Sequence, residues 1–105
     1  GGTSALPIHL DWDALPAPLQ TELQALGRPV SAQGRVPPVV LQSAVLALCA
    51  GRHLGVRVLA HALQRDPDDL RKRTLTPMVK AGLLRTAYTS QRDPRQAYTA
   101  AAKDA

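Results

Sequence analysis

Leucines recur at helical spacing in the first third of the chain. Leu15, Leu19, Leu23 and Leu26 are spaced four, four and three residues apart, which predicts an amphipathic helix. Gly27 follows the last of these leucines, and a glycine at this place is typical of a helix C-terminus. We therefore predict a first helix that ends at Gly27.

The stretch from Gly27 to Pro38 is rich in glycine, proline and serine. Such a density of turn-forming residues predicts a linker. Because this linker separates the first helix from the apolar segments that follow, we expect residues 5–36 to form a lead-in helix and linker outside the main core.

Two further segments carry apolar residues at helical spacing. The first runs from Pro37 to about Ala50 and begins with proline, which is tolerated in the first turn of a helix. The second runs from Val56 to Gln64. We predict two core helices, joined by a short break at residues 52–55.

A third core helix has a clear start. Asp66 stands before Pro67 and is followed by two more aspartates, a combination typical of an N-cap, a first helical position and a first turn. The helix is predicted to run from about Asp66 to Ala81 and to end at Gly82. Its predicted buried residues are Leu70, Thr74, Leu75, Met78, Val79 and Ala81.

Proline interrupts this third helix. Pro77 has no N–H to donate, and its ring should displace the carbonyl of Arg73, so we expect a kink at this point. The helix is therefore divided into an acid-capped first half that carries basic residues and a second half that anchors it to the core.

The end of the chain predicts a β-hairpin. Leu83–Thr89 and Gln96–Ala100 contain β-branched and aromatic residues, and the polar segment Ser90–Arg95 between them is rich in turn formers. The tail Ala101–Ala105 is alanine-rich and is expected to fray.

Three helices followed by a hairpin are the order of elements in a winged helix-turn-helix. The predicted fold class is therefore mainly α with a small β-hairpin, a winged helix-turn-helix with an N-terminal lead-in helix. We assign residues 37–100 to this domain and 101–105 to the tail, and we interpret residues 1–4 as a remnant of cloning.

Charge is unevenly distributed along the 105 residues. The formal net charge is +5. From Ala50 onward the sequence contains eleven Lys and Arg and five Asp, whereas Arg28 and Arg35 are the only Lys or Arg residues before it. A basic half of this kind favours an anionic partner such as nucleic acid. The alternative is a basic surface with no ligand.

The residues that catalysis or metal binding would need are scarce. Cys49 is the only cysteine, and His9, His53 and His61 are too scattered to form a metal site. The sequence contains no paired carboxylates, glycine-rich phosphate loop or nucleophile elbow. We expect no enzymatic activity, no cofactor, no metal and no membrane association, and a location in the cytoplasm with the nucleoid.

Residues 41–100 resemble a known module. Its likeness is to the bacterial winged-helix module at the C-terminus of Schlafen-like ATP-binding proteins, RecG-related regulators and other DNA-transacting or defence proteins. The segments that carry the resemblance are Leu48–Leu54, Leu59–Leu63, Leu70–Leu84 and Pro94–Tyr98. The chain departs from that family at Thr74, where tyrosine is common, and at Gly55, where a capping serine or threonine is usual. The resemblance implies DNA binding by analogy only.

Basic residues on the third helix and hairpin are the candidate DNA contacts. Lys72, Arg73 and Thr76 are expected to enter the major groove of double-stranded DNA, with Lys80 also facing outward. On the hairpin, Arg85, Arg92 and Arg95 are expected to hold the backbone. The full predicted set is Arg71, Lys72, Arg73, Thr76, Lys80, Arg85, Arg92 and Arg95.

Three aspartates at the start of the third helix oppose this interpretation. Asp66, Asp68 and Asp69 should repel phosphate unless Arg71 and Arg73 neutralise them at helical spacing. The alternative function is a protein-interaction or dimerisation module that uses the first helix and residues 36–40. Binding to nucleic acid without preference for the duplex is a third hypothesis.

Overall fold

The computed structural model describes residues 8–87 and 96–101. Its elements, in chain order, are β1 (Ile8–His9), a 3-10 turn (Trp12–Ala14), α1 (Ala17–Ser31), α2 (Pro38–Cys49), β2 (His53–Gly55), α3 (Val56–Leu63), α4 (Pro67–Leu70), a π turn (Arg71–Leu75), α5 (Thr76–Lys80), β3 (Leu84–Thr86) and β4 (Ala97–Ala100). The α4, π and α5 segments follow one another without a break and are together called helix 67–80. The described chain is thus mostly helical, with a small sheet.

The sheet contains four strands in the described part of the chain, in the order β1-β2-β4-β3. The predicted hairpin is present as the antiparallel pair β3–β4, in which Arg85 faces Thr99. β4 also pairs with β2, so that Leu54 faces Tyr98, and β1 lies parallel to β2 at the edge. Sequence patterns missed β1 and took β2 for a break, because strands of two and three residues are too short to show an alternating pattern.

α1 is part of the core and does not lie outside it. The helix packs against both α2 and α3, and it buries Leu23 and Val30 completely. Leu15, just before the helix, is buried as well. The expectation of a lead-in helix separate from the core is therefore wrong, since its apolar stripe covers the other two helices.

Gly27 lies inside α1 and does not end it. The helix continues through Gly27 and Pro29 to Ser31, so the predicted end and part of the predicted linker are wrong. A Cβ added at Gly27 would lie 2.4 Å from the carbonyl oxygen of Ala62 on α3. Glycine is needed here because two helices approach closely, and a sequence pattern does not distinguish this role from a helix stop.

Arginine side chains tie the segments around α1 together. Arg65 donates to the carbonyl oxygens of Val30 and Gln33 at 3.3 and 3.1 Å, and so holds the end of α1 against the turn after α3. Arg52 donates to the Leu48 carbonyl at 2.9 Å and pairs with Glu22 at 2.6 Å, which joins the end of α2 to α1.

Gly55 lies in close contact with Leu10. Gly55 precedes α3 and makes no side-chain cap. A Cβ at this position would lie 3.2 Å from Leu10 Cδ2 and 3.3 Å from Leu10 Cα. A side chain at this position would therefore require Leu10, which directly follows β1, to shift by a few tenths of an ångström.

Candidate nucleic-acid interface

Helix 67–80 begins with the predicted cap. The Asp66 carboxylate accepts a hydrogen bond from the backbone N–H of Asp69 at 3.0 Å, which satisfies one of the free donors of the first turn. Only residues 64–66 separate this helix from α3. Gln64 turns the chain with a left-handed backbone, φ 56°, and Arg65 N–H closes the end of α3 on the Ala60 carbonyl at 3.0 Å. Two short helices are therefore joined by a tight turn.

A kink is predicted at Pro77, and the structure has a π turn just before this residue. The backbone N–H of Thr76 donates to the carbonyl of Arg71, five residues earlier, and Pro77 then stands in the first turn of α5. A proline at this place has no hydrogen bond to lose. The wide turn lets the helix pass the proline with helical dihedral angles at Leu75 and Thr76.

One face of helix 67–80 is bound to the core. Leu70, Thr74, Leu75 and Met78 are buried and Val79 is half-buried, as predicted, whereas Ala81 is exposed because the helix ends at Lys80. The end is closed by hydrogen bonds from Gly82 N–H to the Val79 carbonyl and from Leu83 N–H to the Met78 carbonyl, at 3.1 and 2.9 Å. This Schellman arrangement fixes where β3 starts.

The opposite face carries the predicted contact residues. Lys72, Arg73 and Lys80 are exposed, and Thr76 is partly exposed between them. Arg71 is half-buried, so it borders this face and does not lie on it. We call Lys72, Arg73, Thr76 and Lys80 the basic face.

Two of the aspartates at the start of the helix pair with its arginines. Arg73 Nε lies 2.9 Å from Asp69 Oδ1, and Arg71 Nη2 lies 3.9 Å from Asp68 Oδ1. The predicted neutralisation at helical spacing is therefore present. Lys72 and Lys80 have no ion-pair partner among the described residues, which leaves their charges available to a ligand.

The hairpin contributes one described cation. Arg85 on β3 is exposed, while its neighbour Leu84 is buried. Arg92, Arg95 and Tyr88 lie outside the described residues. Tyr98 on β4 is buried, and burial raises the pKa of its hydroxyl while the charge of Arg71 acts in the opposite direction. Tyr98 is therefore a core residue.

Sequence reasoning missed Arg57 as a candidate contact. This residue lies in the first turn of α3, is exposed, and forms no ion pair among the described residues. Its position at the start of the helix that precedes helix 67–80 was the available signal, since that helix crosses the DNA backbone in helix-turn-helix proteins. Because Arg57 stands between Val56 and Val58, this segment was interpreted only as a core helix.

Cys49 and His61, which could serve as a nucleophile or a metal ligand, have packing roles in the structure. Cys49 is buried, and burial raises the pKa of its thiol to about 12, so that it is protonated near neutral pH. The ring of His61 stacks on Trp12 with centroids 4.1 Å apart. Within the described ranges, no three His, Cys, Asp or Glu side chains converge on a metal site.

A shallow apolar groove lies between α1 and α2. It has a volume of about 320 Å³, and Val39 at its edge is 66% exposed. The residues that line it are Leu26, Pro29, Val39, Val40, Ser43, Ala44 and Ala47. Val39 and Val40, from residues 36–40 of the alternative interaction surface, thus line the groove together with Leu26 of α1, whereas Leu23 of the same helix is completely buried.

Long apolar helices are absent from residues 8–87 and 96–101, so none of the helices described there is suited to crossing a membrane.

Comparisons with protein families, with curated proteins and with solved structures find no match to this chain.

Proposed function

We propose that this chain is a winged helix-turn-helix module that binds double-stranded DNA as part of a larger bacterial protein in the nucleoid. In this proposal the basic face of helix 67–80 enters the major groove, and the β3–β4 hairpin is the wing that contacts the phosphate backbone. The module itself carries no enzymatic activity.

The connection of the elements supports the winged-helix assignment. α2, β2, α3 and helix 67–80 follow one another with short connections, and the β3–β4 hairpin comes next. β2 pairs with β4, so the strand between the first two helices of the motif closes onto the hairpin. β3 also contacts α5, which supports the proposal that the β3–β4 pair is a wing that meets the same duplex as helix 67–80.

The single observation that carries the DNA proposal is the two-sided character of helix 67–80. One side is held in the core by Leu70, Leu75 and Met78, while the other side presents Lys72 and Lys80 without ion-pair partners in the described chain. A rigid helix with unpaired cations on its outer side supplies both the shape that fits a major groove and the charge that binds phosphate.

A binding assay with a charge-matched control tests the proposal. Fluorescence anisotropy is measured on a labelled duplex of about 25 base pairs at about 50 and 200 mM salt. The Lys72→Ala/Arg73→Ala variant is compared with Arg28→Ala/Arg35→Ala, which removes the same charge from exposed positions on α1 and before α2.

The first variant should bind about tenfold or more weakly at low salt, and its salt dependence should be shallower by roughly one unit for each phosphate that the protein no longer neutralises. The control variant should bind about twofold more weakly, as expected for a change in net charge alone. Equal effects of the two variants would refute the basic face as the binding site. A single-stranded probe of the same length, bound as tightly as the duplex, would favour the third hypothesis.

The α1–α2 groove favours a second candidate function, self-association or binding of a protein. The observation that favours this function is the exposure of Val39 beside the apolar surface of the groove. Sedimentation equilibrium of the wild type and of Val39→Asp decides: a dimer that the substitution dissociates would support this function, and a monomer at high concentration would argue against self-association.

A further inference from the structure

Arg73 differs from the other exposed cations of the basic face because it already has an anionic partner. Its Nε lies 2.9 Å from Asp69 Oδ1, and the Arg73 side chain is nevertheless 81% exposed. Lys72, its neighbour, has no such partner in the described part of the chain. The two adjacent cations are thus in different electrostatic states before any ligand arrives.

A phosphate that binds Arg73 has to compete with this carboxylate. Exposed ion pairs are weak, so a phosphate group is able to displace Asp69 from the guanidinium. The displaced carboxylate remains one helical turn away and half-exposed, where it repels the same phosphate. Asp69 therefore opposes binding twice, once by occupying Arg73 and once by its own charge.

We propose that Asp69 is an attenuating residue, which lowers the affinity of the basic face for phosphate by pairing with Arg73. This inference rests on the proposed binding of duplex DNA. Asp68 has a lesser part, because its distance to Arg71 is 3.9 Å and Arg71 borders the basic face from a half-buried position. The third aspartate, Asp66, is the helix cap and has a structural role.

The test is the substitution Asp69→Asn, measured by anisotropy with the duplex described above. This change keeps the cap, since Asp66 accepts from the backbone N–H of residue 69 and not from its side chain. Asp13→Asn is the matched control: it makes the same change in net charge on the 3-10 turn, at an exposed aspartate without an ion pair among the described residues.

Asp69→Asn should bind about 3- to 10-fold more tightly than the wild type at low salt, with a steeper salt dependence. Asp13→Asn should stay within about twofold, the effect of net charge alone. In an Arg73→Ala background the gain from Asp69→Asn should fall to about twofold or less, because there is no guanidinium left to release. Circular dichroism verifies that each variant keeps the helical content of the wild type.

The binding assay distinguishes an error in the role of Asp69 from an error in the proposed function. If the wild type binds duplex DNA through Lys72 and Asp69→Asn binds no more tightly than Asp13→Asn, the inference is overturned and the function stands. Weaker binding by Asp69→Asn also overturns it, since the carboxylate would then support the contact. If the wild type shows no salt-sensitive binding to the duplex, the proposed function fails and the attenuating role fails with it.

Discussion

Gly27 shows how one residue type permits two interpretations that only packing separates. In the sequence it follows a leucine stripe, as a helix-ending glycine does. In the structure it is buried in mid-helix against the backbone of Ala62. The leucines before it were enough to predict the helix, but the end of that helix depends on a neighbour that lies 35 residues further along the chain.

Substitution of Gly27 by alanine should therefore destabilise the protein. The new Cβ would meet the Ala62 carbonyl oxygen at 2.4 Å, so α1 and α3 would have to separate, at a cost of about 2 to 3 kcal/mol in free energy of unfolding. Urea denaturation measures this value. Gly34→Ala is the control, because no atom lies within 4 Å of its added Cβ, and its effect should stay within about 0.5 kcal/mol. If the two variants were equally stable, α1 and α3 would not be in the close contact described.

At the scale of elements, sequence patterns predicted an interaction reliably where both interacting groups lie within one short segment. The N-cap of helix 67–80 is of this kind, since Asp66 bonds to a backbone group three residues away. The pairing of Arg73 with Asp69 is another. β2, in contrast, is a strand only because it pairs with β4 more than 40 residues later, and nothing in residues 53–55 indicates this partner.

The cap of helix 67–80 gives a prediction at this scale. Asp66→Ala removes the acceptor for the Asp69 N–H and should lower the free energy of unfolding by about 1 kcal/mol. Asp66→Asn keeps an oxygen acceptor and should be close to the wild type in stability. Thermal unfolding followed by circular dichroism compares the two. A decrease in stability in Asp66→Asn as large as that in Asp66→Ala would show that charge, and not the hydrogen bond, is what the helix needs.

At the scale of the whole molecule, the order of the helices and the hairpin could be predicted, but the extent of the core could not. Periodicity places apolar side chains on one face of a helix and does not say which other helix covers that face. Leu23 and Val30 were consequently expected outside the core that they complete. The candidate site was foreseen more fully, because Lys72, Arg73 and Lys80 are exposed simply by lying opposite a buried stripe of their own helix.

The unit that folds should accordingly be larger than the domain that the sequence predicts. A fragment of residues 37–105 lacks Leu15, Leu23 and Val30, each of which is buried in the core. Burial of such side chains contributes about 1.5–3 kcal/mol each, and their sum is comparable to the whole stability of a small domain, about 5–15 kcal/mol. The fragment should therefore show neither cooperative thermal unfolding nor a dispersed amide NMR spectrum.

A fragment of residues 8–105 is the matched control. It keeps β1, the stacking of Trp12 on His61, and all of α1. This fragment should unfold cooperatively, within a few degrees of the full chain. Cooperative unfolding of residues 37–105 as well would mean that α2, α3 and helix 67–80 form a core without α1, and that the first helix is an addition to the fold. If only the longer fragment folds, α1 belongs to the module that presents the basic face, and binding studies require it.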